Sequence, residues 1–162
     1  MIIRICSRRA AEKMAWWLRQ ETAIISIVGT GVPKVMFASN PNIKAVFHMS
    51  FDDVLVPEDD KIPPVQDDFR GLKEFVDSLS VKVLLVHCAA GISRSAAVAT
   101  AIAEYLGRSG NCVLVTKQEY NPNMMVYRFA CKELGISPAD AIQSVQQADI
   151  HGFYECRWKE GR

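Results

Sequence analysis

The stretch VKVLLVHCAAGISRSAAVATAIAEY, Val81 to Tyr105, decides how the rest of the chain must be arranged. Val81 to Val86 is an apolar, β-branched run and reads as a strand buried on both faces. From about Arg94 an alanine-rich segment reads as a helix ending near Gly107, a residue suited to the left-handed conformation of a helix end. Between them stands His87-Cys88-Ala89-Ala90-Gly91-Ile92-Ser93-Arg94-Ser95. A loop of small residues running from a strand into a helix N-terminus turns several backbone N–H groups toward one point, which makes an anion site.

Arg94 follows Cys88 by six residues and can fold back so that its planar guanidinium meets two oxygens of a phosphate or sulfate, a match lysine cannot make. Cys88 lies at the base of the same positive field, which favours thiolate over thiol. A thiolate beneath a phosphorus atom is a nucleophile. The plain alternative is a buried structural cysteine before an ordinary β–α turn. Against it stand His, Cys, Gly, Ser and Arg together at fixed offsets, with the strand and helix that such a loop requires on either side.

A chain of 162 residues is expected to form one domain with a full core. A net charge of +1 supplies no global field for nucleic acid or an anionic membrane, so attraction for phosphate must be local. The five cysteines, at 6, 88, 112, 131 and 156, form no CxxC pair, and their number is odd. Neither a zinc site nor a secreted disulfide framework is indicated, and a reducing, cytoplasmic setting fits. Cys6, Cys112, Cys131 and Cys156 are candidates to protect an oxidised Cys88 by disulfide exchange. His48, His87 and His151 show no metal-ligand spacing, and His87 is expected to hold the loop and tune Cys88 through hydrogen bonds. The opening Met1 to Cys6 is too short for a signal peptide, and no run reaches membrane-spanning length.

Ile2 to Cys6 alternates as a strand, and Ser7 can cap a helix over about Arg8 to Gln20. Trp16 and Trp17, being adjacent, point in different directions, so at most one should be in the core. Strands are expected over Ala23 to Val28 and Lys44 to Met49, separated by turns at Gly29, Gly31, Pro33 and Asn40-Pro41-Asn42. Arg108 to Asn111 reads as a turn, and Cys112 to Tyr120 is open between helix and strand, for which β-branched Val113, Val115 and Thr116 argue. Asn123 caps a helix over Met124 to Leu134, and Ser137-Pro138 opens another running to about Asp149. In the tail, His151 to Arg162, aromatic and basic residues mix, which suits packing on the body or a partner.

Phe51 to Asp68 carries seven carboxylates (Asp52, Asp53, Glu58, Asp59, Asp60, Asp67 and Asp68) against one lysine. It reads as a surface loop followed by a helix, with Pro63 and Pro64 at its start and Phe69, Leu72, Val76 and Leu79 as its buried stripe. Attack on a phosphate ester requires a carboxylic acid to protonate the leaving oxygen, and this loop offers several. So many carboxylates beside the site would repel polyanions such as inositol polyphosphates or RNA ends. The expected architecture is α/β: three layers, with a central, largely parallel sheet flanked by helices and the site at a strand's C-terminal end.

In His87-Cys88, five residues, then Arg94-Ser95, the chain resembles the cysteine-dependent protein tyrosine phosphatases. Within them it is similar to the compact dual-specificity branch, nearest the small phosphatase-like proteins of bacteria and phages. The likeness runs from the first strand and helix through Phe51-Asp52-Asp53 to Pro122-Asn123 and fades after about Gly135, leaving 136–162 as a C-terminal extension. The absence of Trp-Pro-Asp, the acid-bearing motif of the larger tyrosine phosphatases, favours the compact branch.

The resemblance implies the cysteine-phosphatase fold, a helix over Cys112 to Tyr120 included, and hydrolysis without metal or cofactor. Cys88 would attack phosphorus, while Arg94 and the amides of Ala89, Ala90, Gly91, Ile92, Ser93 and Arg94 hold the oxygens. Ser95 would stabilise the departing thiolate. Asp53 best matches the family's acid, an aspartate followed by an apolar residue just after the upstream strand, with Asp52 second and Asp59 and Asp60 behind. Asn123 lies in a Pro-Asn turn of the kind the family packs near the loop, although a helix cap explains it equally well. The implied substrate is phosphotyrosine in protein, with phosphoserine and phosphothreonine in addition. Nothing in the sequence indicates an oligomeric state. Two other readings use the same residues: a phosphate-binding module without turnover, and a sulfurtransferase or arsenate reductase carrying sulfur or arsenate on Cys88.

Overall fold

The structure, a computed structural model, describes residues 1–107 and 120–138. The expected turn at Arg108, the element over Cys112 to about Tyr120, the helix beyond Pro138 and the tail from His151 lie outside the described residues.

Four strands, β1 (Ile2–Ser7), β2 (Thr22–Val28), β3 (Ile43–Ser50) and β4 (Val83–Cys88), form one sheet in the order β1-β4-β2-β3, with every pairing parallel. The two central strands, β4 and β2, are buried along their whole length. This is the environment their unbroken apolar runs require, because side chains of both parities must leave water. Alternation then sends Ile25, Leu84, Val86 and Cys88 to one face and Ile24 and Leu85 to the other.

The first face carries the main core. It packs against the helices α2 (Leu72–Asp77), α3 (Arg94–Tyr105) and α4 (Met124–Leu134). α3 is buried from Arg94 to Ala103, and its alanines let it lie between the sheet and α4 with no polar face. The second face is covered by α1 (Arg8–Ala15) together with Phe37. Helices therefore flank both faces of a parallel sheet, an α/β architecture, with the heavier layer on the side of Cys88.

Two expectations need correction. α1 stops at Ala15 rather than near Gln20, because Asn40 Nδ2 donates to the carbonyls of Ala15 (2.8 Å) and Leu18 (3.2 Å), and Asn42 Nδ2 donates to Leu18 (2.8 Å). These side chains take the acceptors a further helical turn would have used. The adjacent Trp16 and Trp17, of which at most one could enter the core, are both exposed, at 68% and 67%. The helix expected after Pro63 and Pro64 is split into a 3₁₀ turn, Gln66–Phe69, and α2, separated by Gly71 at φ 83°. Gly71 N–H donates to Glu133 Oε1 on α4 at 3.0 Å, and the step lets Phe69 and Leu72 both be fully buried.

Candidate active site

The parallel sheet delivers Cys88 at the C-terminal end of a central strand, and α3 begins six residues later, so the connecting loop must reverse direction within a few residues. Gly91 makes this possible. It sits at φ +77°, and a Cβ there would lie 2.5 Å from the Cys6 carbonyl carbon and 2.6 Å from Ser7 N. The loop is pressed against the β1–α1 junction, where Arg8 N–H donates to the Ala89 carbonyl at 3.3 Å. From the other side, Asn121 N–H donates to the Ile92 carbonyl at 3.1 Å.

Cys88 Sγ receives the Gly91 N–H at 3.2 Å and lies 3.2 Å from Ser95 Oγ. Burial raises the thiol's pKa, but bonds from the Ser95 hydroxyl and from the amides of Ser95, Gly91 and Ile92 outweigh it, and the net direction is downward. Ser93, at the N-cap position of α3, does not cap the helix with its side chain. The sulfur stands where a capping oxygen would, taking amides that a helix start leaves unsatisfied.

His87, fully buried beneath the loop, pairs its Nε2 with Ser26 Oγ at 2.9 Å. Burial lowers its pKa, so the imidazole is neutral near pH 7, and the Cys88 backbone opposes that shift only in part. Ser26, the lone hydroxyl in the apolar stretch Ala23 to Val28, was not singled out from the sequence. A single polar residue in a fully buried strand is the signal that marks it.

Arg94 is 7% exposed. Its Nη1 donates to the Phe51 carbonyl at 2.8 Å, while Nε is buried with no hydrogen-bond partner. Asp53 Oδ2 lies 4.0 Å from Nε, too far for a hydrogen bond. A buried, charged donor left unpaired is costly, and an anion in the loop would satisfy it.

The structure brings Asp53 to the loop and turns the other aspartates away. Asp53 Oδ1 accepts from Ser93 Oγ (2.8 Å) and from Asn123 Nδ2 (3.0 Å). Asn123 does two jobs, because its Oδ1 also caps α4 by accepting from Met125 N (3.0 Å) and Val126 N (3.2 Å). Asp52 accepts instead from Thr30 N (3.1 Å) and Ile62 N (2.9 Å), closing the base of the acidic loop. Partial burial raises its pKa, but those bonds and the charge of Arg94 prevail and lower it overall. Asp59 and Asp60 lie exposed in the acidic loop, next to the Glu58–Lys61 pair. Ser93 was expected to contribute only its amide, and its tie to Asp53 could not be read from sequence.

The other cysteines are differently placed. Cys6 faces the α1 side of the sheet, opposite Cys88, and burial followed by the charge of Cys88 pushes its pKa up to about 12. Cys131 is buried in the same core as Cys88, and Cys112 and Cys156 lie outside the described residues. Among the described residues no group of three metal-ligating side chains converges, and no helix is long and apolar enough to cross a membrane.

No protein-family model matches the chain, and no curated protein matches it. Among solved structures it is similar to human DUSP28, with 20% identity and a TM-score of 0.45 over 90% of this chain and 78% of that one. It is also similar to Tk-PTP in the active form, with 16% identity and a TM-score of 0.41 over 91% and 90% of the two chains. At this level of likeness the chemistry must rest on the geometry of the loop itself.

Proposed function

We propose that this chain is a cysteine phosphatase that hydrolyses phosphotyrosine in proteins, with phosphoserine and phosphothreonine as further substrates. The observation that carries the reading is the set of donors converging on Cys88 Sγ: two bonds at 3.2 Å, a helix N-terminus and a lowered pKa. The thiolate attacks phosphorus as the ester P–O bond breaks. Arg94 Nε and the loop amides from Ala89 to Arg94 take the equatorial oxygens, supplying the positive charge the transition state needs without a metal.

Asp53 Oδ1 is occupied by Ser93 and Asn123, so Oδ2 is the oxygen left to carry the acidic proton. That proton passes to the leaving phenoxide or alkoxide. The resulting carboxylate then takes a proton from the water that attacks the cysteinyl-phosphate. The P–S bond breaks, Ser95 Oγ hydrogen-bonds the returning thiolate, and inorganic phosphate departs. Ser93 and Asn123 act as positioning residues for Asp53.

The test is hydrolysis of an aryl phosphate and a phosphotyrosine peptide, with chelator present, by wild type, Cys88→Ser, Asp53→Ala and Asp52→Ala. The reading expects turnover that vanishes in Cys88→Ser and falls about a hundredfold in Asp53→Ala but not in Asp52→Ala. A wild type that binds the peptide without turning it over would replace it with a phosphate-binding module.

A further inference from the structure

An apolar groove of about 460 Å³, lined by Leu55, Met124, Met125, Arg128 and Phe129, opens beside the segments that hold Asp53. Its volume lies within the range of sites that take small ligands, about 300–1,000 Å³. Leu55 follows Asp53 by two residues, at most about 7 Å of chain. Met124 follows Asn123, whose Nδ2 donates to Asp53 at 3.0 Å. Both walls of the groove are therefore continuous with the candidate site.

Leu55 is 56% and Met124 41% exposed, so these apolar side chains face water beside the site. Phe129 packs back on Phe69, with ring centroids 5.8 Å apart, which gives the groove one fixed wall against two adaptable methionines. Arg128 is the one charged lining residue, and no ion pair among the described residues uses it.

We propose that this groove binds an apolar side chain lying within three residues of the phosphorylated residue of a peptide substrate, with an acidic neighbour preferred over a basic one at Arg128. The inference rests on reading the Cys88 loop as the phosphoresidue site. An extended peptide advances about 7 Å over two residues, a span comparable to the at most about 7 Å of chain between Asp53 and Leu55. Burial of one aliphatic side chain in a partly open groove is worth about tenfold in affinity.

The test uses the full chain and peptides carrying a non-hydrolysable phosphotyrosine mimic, with leucine or serine at each of the three positions on either side, and with glutamate or lysine next to the leucine. Dissociation constants are measured for wild type, Leu55→Ser, Met124→Ser and Arg128→Glu, and aryl phosphate turnover is followed in parallel. Leucine at one position on one side should tighten binding to wild type about tenfold. That advantage should shrink to about twofold in Leu55→Ser and Met124→Ser, with serine-peptide affinity and aryl phosphate turnover unchanged. Arg128→Glu should reverse the acidic-over-basic preference. Indifference to leucine at every position, an advantage that survives both serine substitutions, or no peptide binding overturns the proposal, whatever the turnover. A leucine preference without aryl phosphate turnover would overturn the phosphatase reading and leave the groove standing.

Discussion

The loop from His87 to Ser95 and the loop from Asp52 to Val65 meet at one point but are held there by different means. The first is held by its backbone: Gly91 against Cys6 and Ser7, Ala89 tied to Arg8, and Ile92 tied to Asn121. The second buries Val54 and Pro64 but leaves Leu55, Val56, Ile62 and Val65 more than half exposed. Its shape depends on two carboxylates: Asp52 collects the amides of Thr30 and Ile62, and Asp53 reaches the other loop through Ser93 and Asn123. Under the proposed function the first loop is a binding cradle, which must not yield, and the second carries an acid that must come and go with a substrate. Backbone packing serves the first need and side-chain hydrogen bonds the second.

Each side of that contrast can be broken separately. Cys88→Ser should remove turnover by at least about ten-thousandfold while leaving thermal unfolding near that of wild type, since an oxygen replaces sulfur in the same pocket. Gly91→Ala should cost about 3 kcal/mol of stability, read by denaturant unfolding, because the new Cβ meets backbone on a strained φ. The same change at Gly31, also at positive φ but with nothing within 4 Å, should cost only about 1 kcal/mol.

On the acidic side, Asp53→Asn should lower kcat for a phosphotyrosine peptide about a hundredfold, with little change in stability. Alkylation separates the cysteines. At pH 6 to 7 iodoacetamide should modify Cys88 about tenfold or more faster than Cys6, whose pKa is pushed up to about 12 by burial and by the charge of Cys88.

The smallest effect concerns Asp52. Its carboxyl is held below the ordinary value when folded, so it contributes stability above the unfolded pKa of about 4, and that contribution is lost as pH falls through the folded value. Asp52→Asn should therefore be less stable than wild type at pH 7, and the difference should close below about pH 4. Its kcat should change only a few-fold.

What could be read from sequence followed from local physics. Apolar β-branched runs gave buried parallel strands, alanines gave α3, and the Asn-capped pattern of Met124 to Leu134 matches α4 residue for residue. The strand–loop–helix spacing around Cys88 and Arg94 was equally legible, because each residue type has a local reason for its position. What was not legible depends on partners distant in the chain. Asn40 and Asn42 end α1 from more than twenty residues away, and Glu133 fixes the break at Gly71. Ser93 gives up its cap to hold Asp53, forty residues earlier, and Ser26 meets His87 only because β2 and β4 are neighbours.

The most direct measurement is rapid acid quench of wild type and Ser95→Ala during turnover of an aryl phosphate, followed by mass analysis of the peptide bearing Cys88. The account predicts one phosphoryl group on Cys88, transient in wild type and longer-lived in Ser95→Ala, where the returning thiolate lacks its hydroxyl partner. Phosphate release with Cys88 unmodified in both proteins, or no release by wild type, would contradict it.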